Sequence, residues 1–183
     1  MINFKTIIRI IGILLLLETV MLLACSAISY YYNDEALLDF WKSAGITAGA
    51  GLLMAIAGKG GEKQLTRRDG YVLVSLAWVA FSLFGMLPFY ISGYVPDITN
   101  AFFETMSGFT STGATVLDNI ESLPHGLLFW RGMTQWIGGL GIIMFTIAVL
   151  PIFGVSGLQV FAAEASGPTH DKVHPRIGIT AKW

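Results

Sequence analysis

The chain has 183 residues, 54% of them hydrophobic and 13% charged, and a mean hydropathy of +0.66, so its solvent is lipid rather than water. A net charge of -1 gives no footing for nucleic acid or an acidic substrate, and the single Cys25 excludes an intrachain disulfide.

A helix needs about 20 apolar residues to cross the hydrocarbon. Four segments reach or approach that length: Ile10 to Tyr30, Phe40 to Ala57, Tyr71 to Tyr90 and Leu127 to Phe153. The first follows Lys5 and Arg9 and contains "MLLACS" at 21–26, which has the form of a lipoprotein cleavage box ending at Cys25. Glu18 interrupts that apolar region and favours an ordinary transmembrane helix. An acid in mid-span is a candidate proton relay by default, and the expectation here is a protonated or hydrogen-bonded packing role. In the second segment, Gly45 and Gly49 form a GxxxG step expected to let a neighbouring helix approach.

Short loops rich in Lys and Arg stay cytoplasmic. Nine of the eleven basic residues fall on one side of the predicted spans: Lys5 and Arg9 before the first, Lys59, Lys63, Arg67 and Arg68 between the second and third, and Lys172, Arg176 and Lys182 after the fourth. The other side carries Asp34, Glu35, Asp39, Asp97, Asp118 and Glu121 against Lys42 and Arg131. Both ends are therefore expected inside. The second basic loop, "GKGGEK" onward, lacks the spacing of a phosphate-binding loop.

Between the third and fourth spans the chain is too long for a simple turn. "PDITNAFFETMSGF" opens on Pro96 and Asp97, offers Thr99 or Asn100 as a further cap, and places Ala101, Phe102, Thr105 and Met106 at helical spacing before Gly108. Ten or eleven such residues reach roughly 16 Å, about half a bilayer. Beyond them "TSTG" at 110–113 is small, uncharged and rich in hydroxyls. A half-helix followed by irregular backbone is the form of a re-entrant loop, tolerated at membrane depth where it is buried in protein or lines water. Carbonyls freed from a helix can replace the hydration shell of a monovalent cation, and a carboxylate among them would hold the ion too tightly. The bland alternative is an extracellular Ser/Thr/Gly linker.

The stretch "AFFETMSGFTSTGATVLDNIESLPHGLLFWRGMTQWIGGLGIIMFTIAVLP", 101–151, resembles the first pore repeat of the Trk/Ktr/HKT superfamily of potassium transporters, most closely the TrkH-type membrane subunits. The likeness extends through "RRDGYVLVSLAWVAFSLFGMLPFYISG" before it and "GPTHDKVHPRIGITAKW" after it. The resemblance implies an all-α integral membrane fold with a leading helix pair at 1–60 and a first pore repeat at 61–157. Within that repeat it places a helix at 71–92, a pore half-helix at 97–108, a filter at 110–114 and a helix at 127–153. Residues 158–183 become a cytoplasmic linker toward a further repeat. It implies K+ as the transported ion, bound by Thr110, Ser111, Thr112 and Gly113 and centred on Ser111 and Thr112, with Glu104, Gly108 and Ala114 supporting the filter. Na+ remains an alternative ion. Expected partners are the remaining pore repeats, a second copy in a homodimer and a cytoplasmic nucleotide-binding ring, in a bacterial inner membrane and with no nucleic acid. One loop makes only a quarter of a fourfold site, and no second SGFT-like segment occurs in the chain. The alternative function is a membrane scaffold that conducts nothing.

Several residues keep simpler expectations. Arg131 is expected to pair with Asp118 or Glu121, and Gly138, Gly139 and Gly141 to serve helix packing or a bend. His170 and His174 have a metal-compatible spacing without further ligands nearby, so a solvated loop is expected. No grouping of nucleophile, base and orienting acid points to an enzyme.

Overall fold

The structure, a computed structural model, describes residues 3–60 and 67–149. Lys63, the fourth span beyond Val149, and the 158–183 linker with Lys172, Arg176, Lys182, His170 and His174 lie outside the described residues. Contacts divide the chain into Met1–Gly138 and Gly139–Trp183, and the described part of the second unit is the helical stretch 139–149. Among the described residues all regular structure is helical.

Helix α1, Phe4–Tyr31, is apolar along its length and starts at Asn3, whose side chain accepts the Thr6 amide. Two of its buried hydroxyls bond their own backbone, Thr19 donating to the Leu15 carbonyl at 2.9 Å and Ser26 to the Leu23 carbonyl at 2.7 Å, while the buried Ser29 Oγ has no partner among the described residues. In hydrocarbon that back-bonding removes the penalty of an unpaired hydroxyl. A turn through Asn33, at φ 54, leads to α2, Leu37–Ala57. The two helices run antiparallel, with Gly58 beside Lys5 and Arg9 and Gly12 beside Gly51. A Cβ on Gly12 would lie 2.5 Å from the Ala55 nitrogen and 2.7 Å from the Gly51 oxygen, so the backbones nearly touch there.

That contact corrects the expectation for Gly45 and Gly49, which have nothing within 4 Å of where a Cβ would stand among the described residues. The packed face of α2 is Phe40, Ser43, Ala44, Thr47 and Gly51. Gly45 and Gly49 follow a different stripe of the same helix and point away from it.

The expected third span divides into α3, Arg67–Gly85, and α4, Leu87–Ile91. Pro88 has no amide to offer the carbonyl of Phe84, and its ring crowds that carbonyl, so the helix breaks at Met86. The Gly85 carbonyl beside the break accepts the indole N–H of Trp130 at 2.8 Å. By length and composition α1, α2 and the stretch Arg68–Ile91 can each cross a membrane.

Helix α5, Ile98–Phe109, is capped by Asp97, whose Oδ1 accepts the amides of Thr99 and Asn100 at 2.6 and 3.3 Å. A 3-10 turn at Ile120–Ser122 precedes α6, His125–Val149. The first amides of α6 are met from far off in sequence: Asp34 Oδ2 accepts the Gly126 N–H at 2.9 Å. Asp34 Oδ1 lies 3.3 Å from His125 Nδ1, and the His125 ring stacks on Tyr32 with centroids 4.1 Å apart. Leu22, Phe40, Phe89, Phe109, Leu127 and Trp130 form one core that joins the α1–α2 hairpin to α5 and α6.

Candidate ion-binding loop at the end of the half-helix

The end of α5 decides where the loop's backbone groups point. The Ser111 N–H bonds the Gly108 carbonyl at 2.9 Å and the Thr112 N–H bonds the Ser107 carbonyl at 3.0 Å, the paired bonds of a Schellman cap. That cap needs one left-handed residue, commonly Gly, and here Ser111 takes the position at φ 54. The Gly113 N–H also reaches the Ser107 carbonyl, at 3.5 Å, and Gly113 adopts φ 75 without the penalty a Cβ would bring. With these amides turned back toward the helix, the carbonyls of Thr110, Ser111, Thr112 and Gly113 accept no hydrogen bond among the described residues. All four residues are exposed.

Their hydroxyls are engaged within the protein. Thr110 Oγ1 donates to the Met106 carbonyl at 2.8 Å and stands 2.8 Å from Thr112 Oγ1, while Ser111 Oγ donates to the Gln135 carbonyl of α6 at 3.2 Å. No charged side chain occurs between Glu104 and Asp118, so the negative partial charge at the end of α5 is the nearest bias on a cation at the loop.

Glu104 is buried at 2% exposure and braces the returning arm. Its Oε2 accepts the Thr115 hydroxyl at 2.9 Å and the Val116 N–H at 3.1 Å, and its Oε1 accepts Arg131 Nε at 2.7 Å. A buried carboxylate with a charged partner and two further donors is well compensated. Arg131 thus pairs with Glu104 rather than with Asp118 or Glu121, which are exposed. The cause is the close packing of α6 on α5. A Cβ on Gly108 would strike the Thr134 hydroxyl, and one on Gly138 would strike the Phe109 carbonyl, so position 131 is brought against position 104.

The residues picked out in the sequence therefore meet in one place. Thr110 to Gly113 form the exposed turn, Glu104 lies behind its returning arm, Gly108 lets α6 approach, and the Ala114 carbonyl is occupied by the Ser107 hydroxyl at 2.6 Å. Ser107, Thr115, Thr134 and Gln135 went unnoticed in the sequence. Ser107 had a signal: it follows Ala101, Glu104 and Thr105 on the buried stripe of α5.

Glu18 sits elsewhere, 1% exposed, with neither carboxyl oxygen hydrogen-bonded among the described residues. A Cβ on Gly85 would lie 2.8 Å from its Oε1, 2.9 Å from Thr105 Cγ2 and 3.0 Å from Phe109 Cε2. It packs where α3 breaks, behind α5, and the expected hydrogen bond is absent among these residues.

The sequence profile of the TrkH family, described as a cation transport protein, matches residues 40–182. The Trk system potassium uptake protein TrkH of Escherichia coli (strain K12) is 40% identical over 183 residues, which is 98% of this chain and 38% of that protein. Its counterpart from Halomonas elongata is 38% identical over 182 residues, again 98% of this chain and 38% of the relative. The potassium uptake protein TrkI of Halomonas elongata is 46% identical over 112 residues, 61% of this chain and 23% of its own length. The crystal structure of the potassium transporter TrkH from Vibrio parahaemolyticus aligns with a TM-score of 0.81 at 36% identity, covering 99% of this chain and 36% of that one. The chain thus spans 38% of the length of the TrkH relatives from Escherichia coli and Halomonas elongata.

Proposed function

We propose, on the premise that this chain belongs to the TrkH family of cation transport proteins, that it supplies one of four carbonyl-lined loops through which K+ crosses a membrane. The observation that carries this reading is the run of exposed residues Thr110, Ser111, Thr112 and Gly113, whose carbonyls have no hydrogen-bond partner among the described residues. Such oxygens, contributed from several sides, replace the water shell of a monovalent cation. The uncharged loop lets the ion leave again, because attraction is shared among dipoles and no carboxylate holds it.

In this reading α1, α2, the α3–α4 pair and α6 span the bilayer, and α5 is re-entrant. Its 12 residues extend about 18 Å, a little over half of a hydrocarbon core about 30 Å thick. Glu104 and Gly108 support the loop from behind, K+ sits nearest Ser111 and Thr112, and the other three loops come from further repeats. Both ends face the cytoplasm of a bacterial inner membrane, by the placement of Lys and Arg. Pairing as a homodimer and control by a nucleotide-binding ring rest on the family resemblance alone.

The test is K+ uptake at low external K+ in uptake-deficient cells expressing the chain extended through its downstream reading frame. Gly113→Ser places a side chain where φ is 75 and should abolish the preference for K+ over Na+ in protein that still reaches the membrane. Failure of the extended chain to restore any uptake would leave a non-conducting scaffold as the better account, and restored uptake with an unchanged preference in Gly113→Ser would remove residues 110–113 from the ion's path.

A further inference from the structure

We infer that Ser107 is a positioning residue that sets how many carbonyls the loop presents to the ion, its hydroxyl drawing the Ala114 carbonyl back and ending the row at Gly113. This rests on reading 110–113 as the filter. Ser107 lies in the last turn of α5, 6% exposed, and bonds three successive loop residues. Its carbonyl accepts the Thr112 and Gly113 amides at 3.0 and 3.5 Å, and its hydroxyl donates to the Ala114 carbonyl at 2.6 Å.

The two kinds of bond act in opposite directions. In a trans peptide the N–H of one residue and the C=O of the residue before it point opposite ways. Drawing the Thr112 and Gly113 amides toward α5 therefore turns the Ser111 and Thr112 carbonyls away from it, and the Ser111 amide does the same for Thr110 through Gly108. At Ala114 the carbonyl itself is drawn toward α5. The direction of the backbone dipoles reverses between these positions, and one short hydroxyl bond holds the reversal. Without that bond the Ala114 carbonyl loses its partner, and turning outward to regain one would add an oxygen to the row and alter the spacing of the others.

In the extended protein, Ser107→Ala should lower the ratio of K+ to Na+ uptake by roughly fivefold to tenfold, the scale of one lost hydrogen bond. Ser107→Thr, which keeps the hydroxyl, should retain the ratio. A merely structural role would reduce the amount of protein in the membrane and slow both ions equally. If Ser107→Ala is not made in the membrane, Ser107→Cys keeps the backbone bonds with a weaker donor and should show a smaller fall in the same ratio. An unchanged ratio in the Ala variant, or in the Cys variant standing in for it, alongside an altered ratio in Gly113→Ser, would overturn the role of Ser107 and leave the filter reading intact. Unchanged ratios in both Ser107 and Gly113 variants would remove the filter reading itself.

Discussion

Ser111 holds a left-handed conformation that glycine would hold without strain. For an L-residue that conformation costs about 1–2 kcal/mol. The hydroxyl bond to the Gln135 carbonyl returns roughly 0.5–1.5 kcal/mol, so the two effects nearly cancel. Two substitutions separate them. Ser111→Gly loses both the strain and the bond and should melt within a few degrees of the parent, whereas Ser111→Ala keeps the strain, loses the bond and should be destabilised by about 1 kcal/mol. An Ala variant at least as stable as the Gly variant in a thermal unfolding assay would mean that residue 111 is not left-handed. Glu104 and Arg131 make a second residue-scale test, because removing Arg131 leaves Glu104 buried without its charge partner and removing Glu104 leaves a half-buried guanidinium unpaired. Glu104→Gln and Arg131→Gln should each destabilise by about 3 kcal/mol, and the double variant by clearly less than their sum. Additive losses in the same assay would show that the pair is not coupled.

At the scale of elements, the contact between α5 and α6 tolerates no added carbon at Gly108 or Gly138, while α2 has open space at Gly45 and Gly49. Gly108→Ala or Gly138→Ala should therefore destabilise by about 2 kcal/mol or more, since a methyl there meets Thr134 or backbone of Phe109. Gly45→Ala and Gly49→Ala should be neutral or slightly stabilising through helix propensity. Equal losses at all four positions, measured by thermal unfolding in detergent, would contradict this packing. The same contrast explains what could be read from the chain. Long apolar runs announce α1 and α2, and α5 is visible in Asp97 and the spacing after it, because those signals are local. Pro88 marks the break between α3 and α4, although a hydropathy window passes over it. Which glycine pair brings two helices together depends on the face each turns to its neighbour, so Gly12 with Gly51 could not be told from Gly45 with Gly49. Arg131 finding Glu104 is of the same kind: charge makes several acids eligible, and only the docking of α6 selects one. The proposed filter, residues 110–113, is legible as a loop of small hydroxyls. Its support by Ser107 is not, because a Schellman cap is ordinarily signalled by Gly and here the position holds Ser111.

For the whole molecule, the proposed topology has a direct consequence for labelling. Cys25 is buried, so the parent chain offers a quiet background for thiol reagents. Lys59→Cys should react with an impermeant maleimide only from the cytoplasmic side, and Asp118→Cys only from outside, because one full span and one re-entrant helix separate them. Labelling of both from one side would mean that α5 crosses the membrane completely. The Asp34 bond to the start of α6 also bears on the order of assembly, since 92 residues separate its two partners. At 5–20 residues per second, synthesis takes about 5–18 s to cover that distance. In the proposed topology the α1–α2 turn reaches the far side of the bilayer first and waits there with its carboxylate in water. Only when the nascent chain has brought Gly126 to the same surface can that carboxylate dock, so in this topology the α1–α2 turn completes its own structure only after α6 has begun.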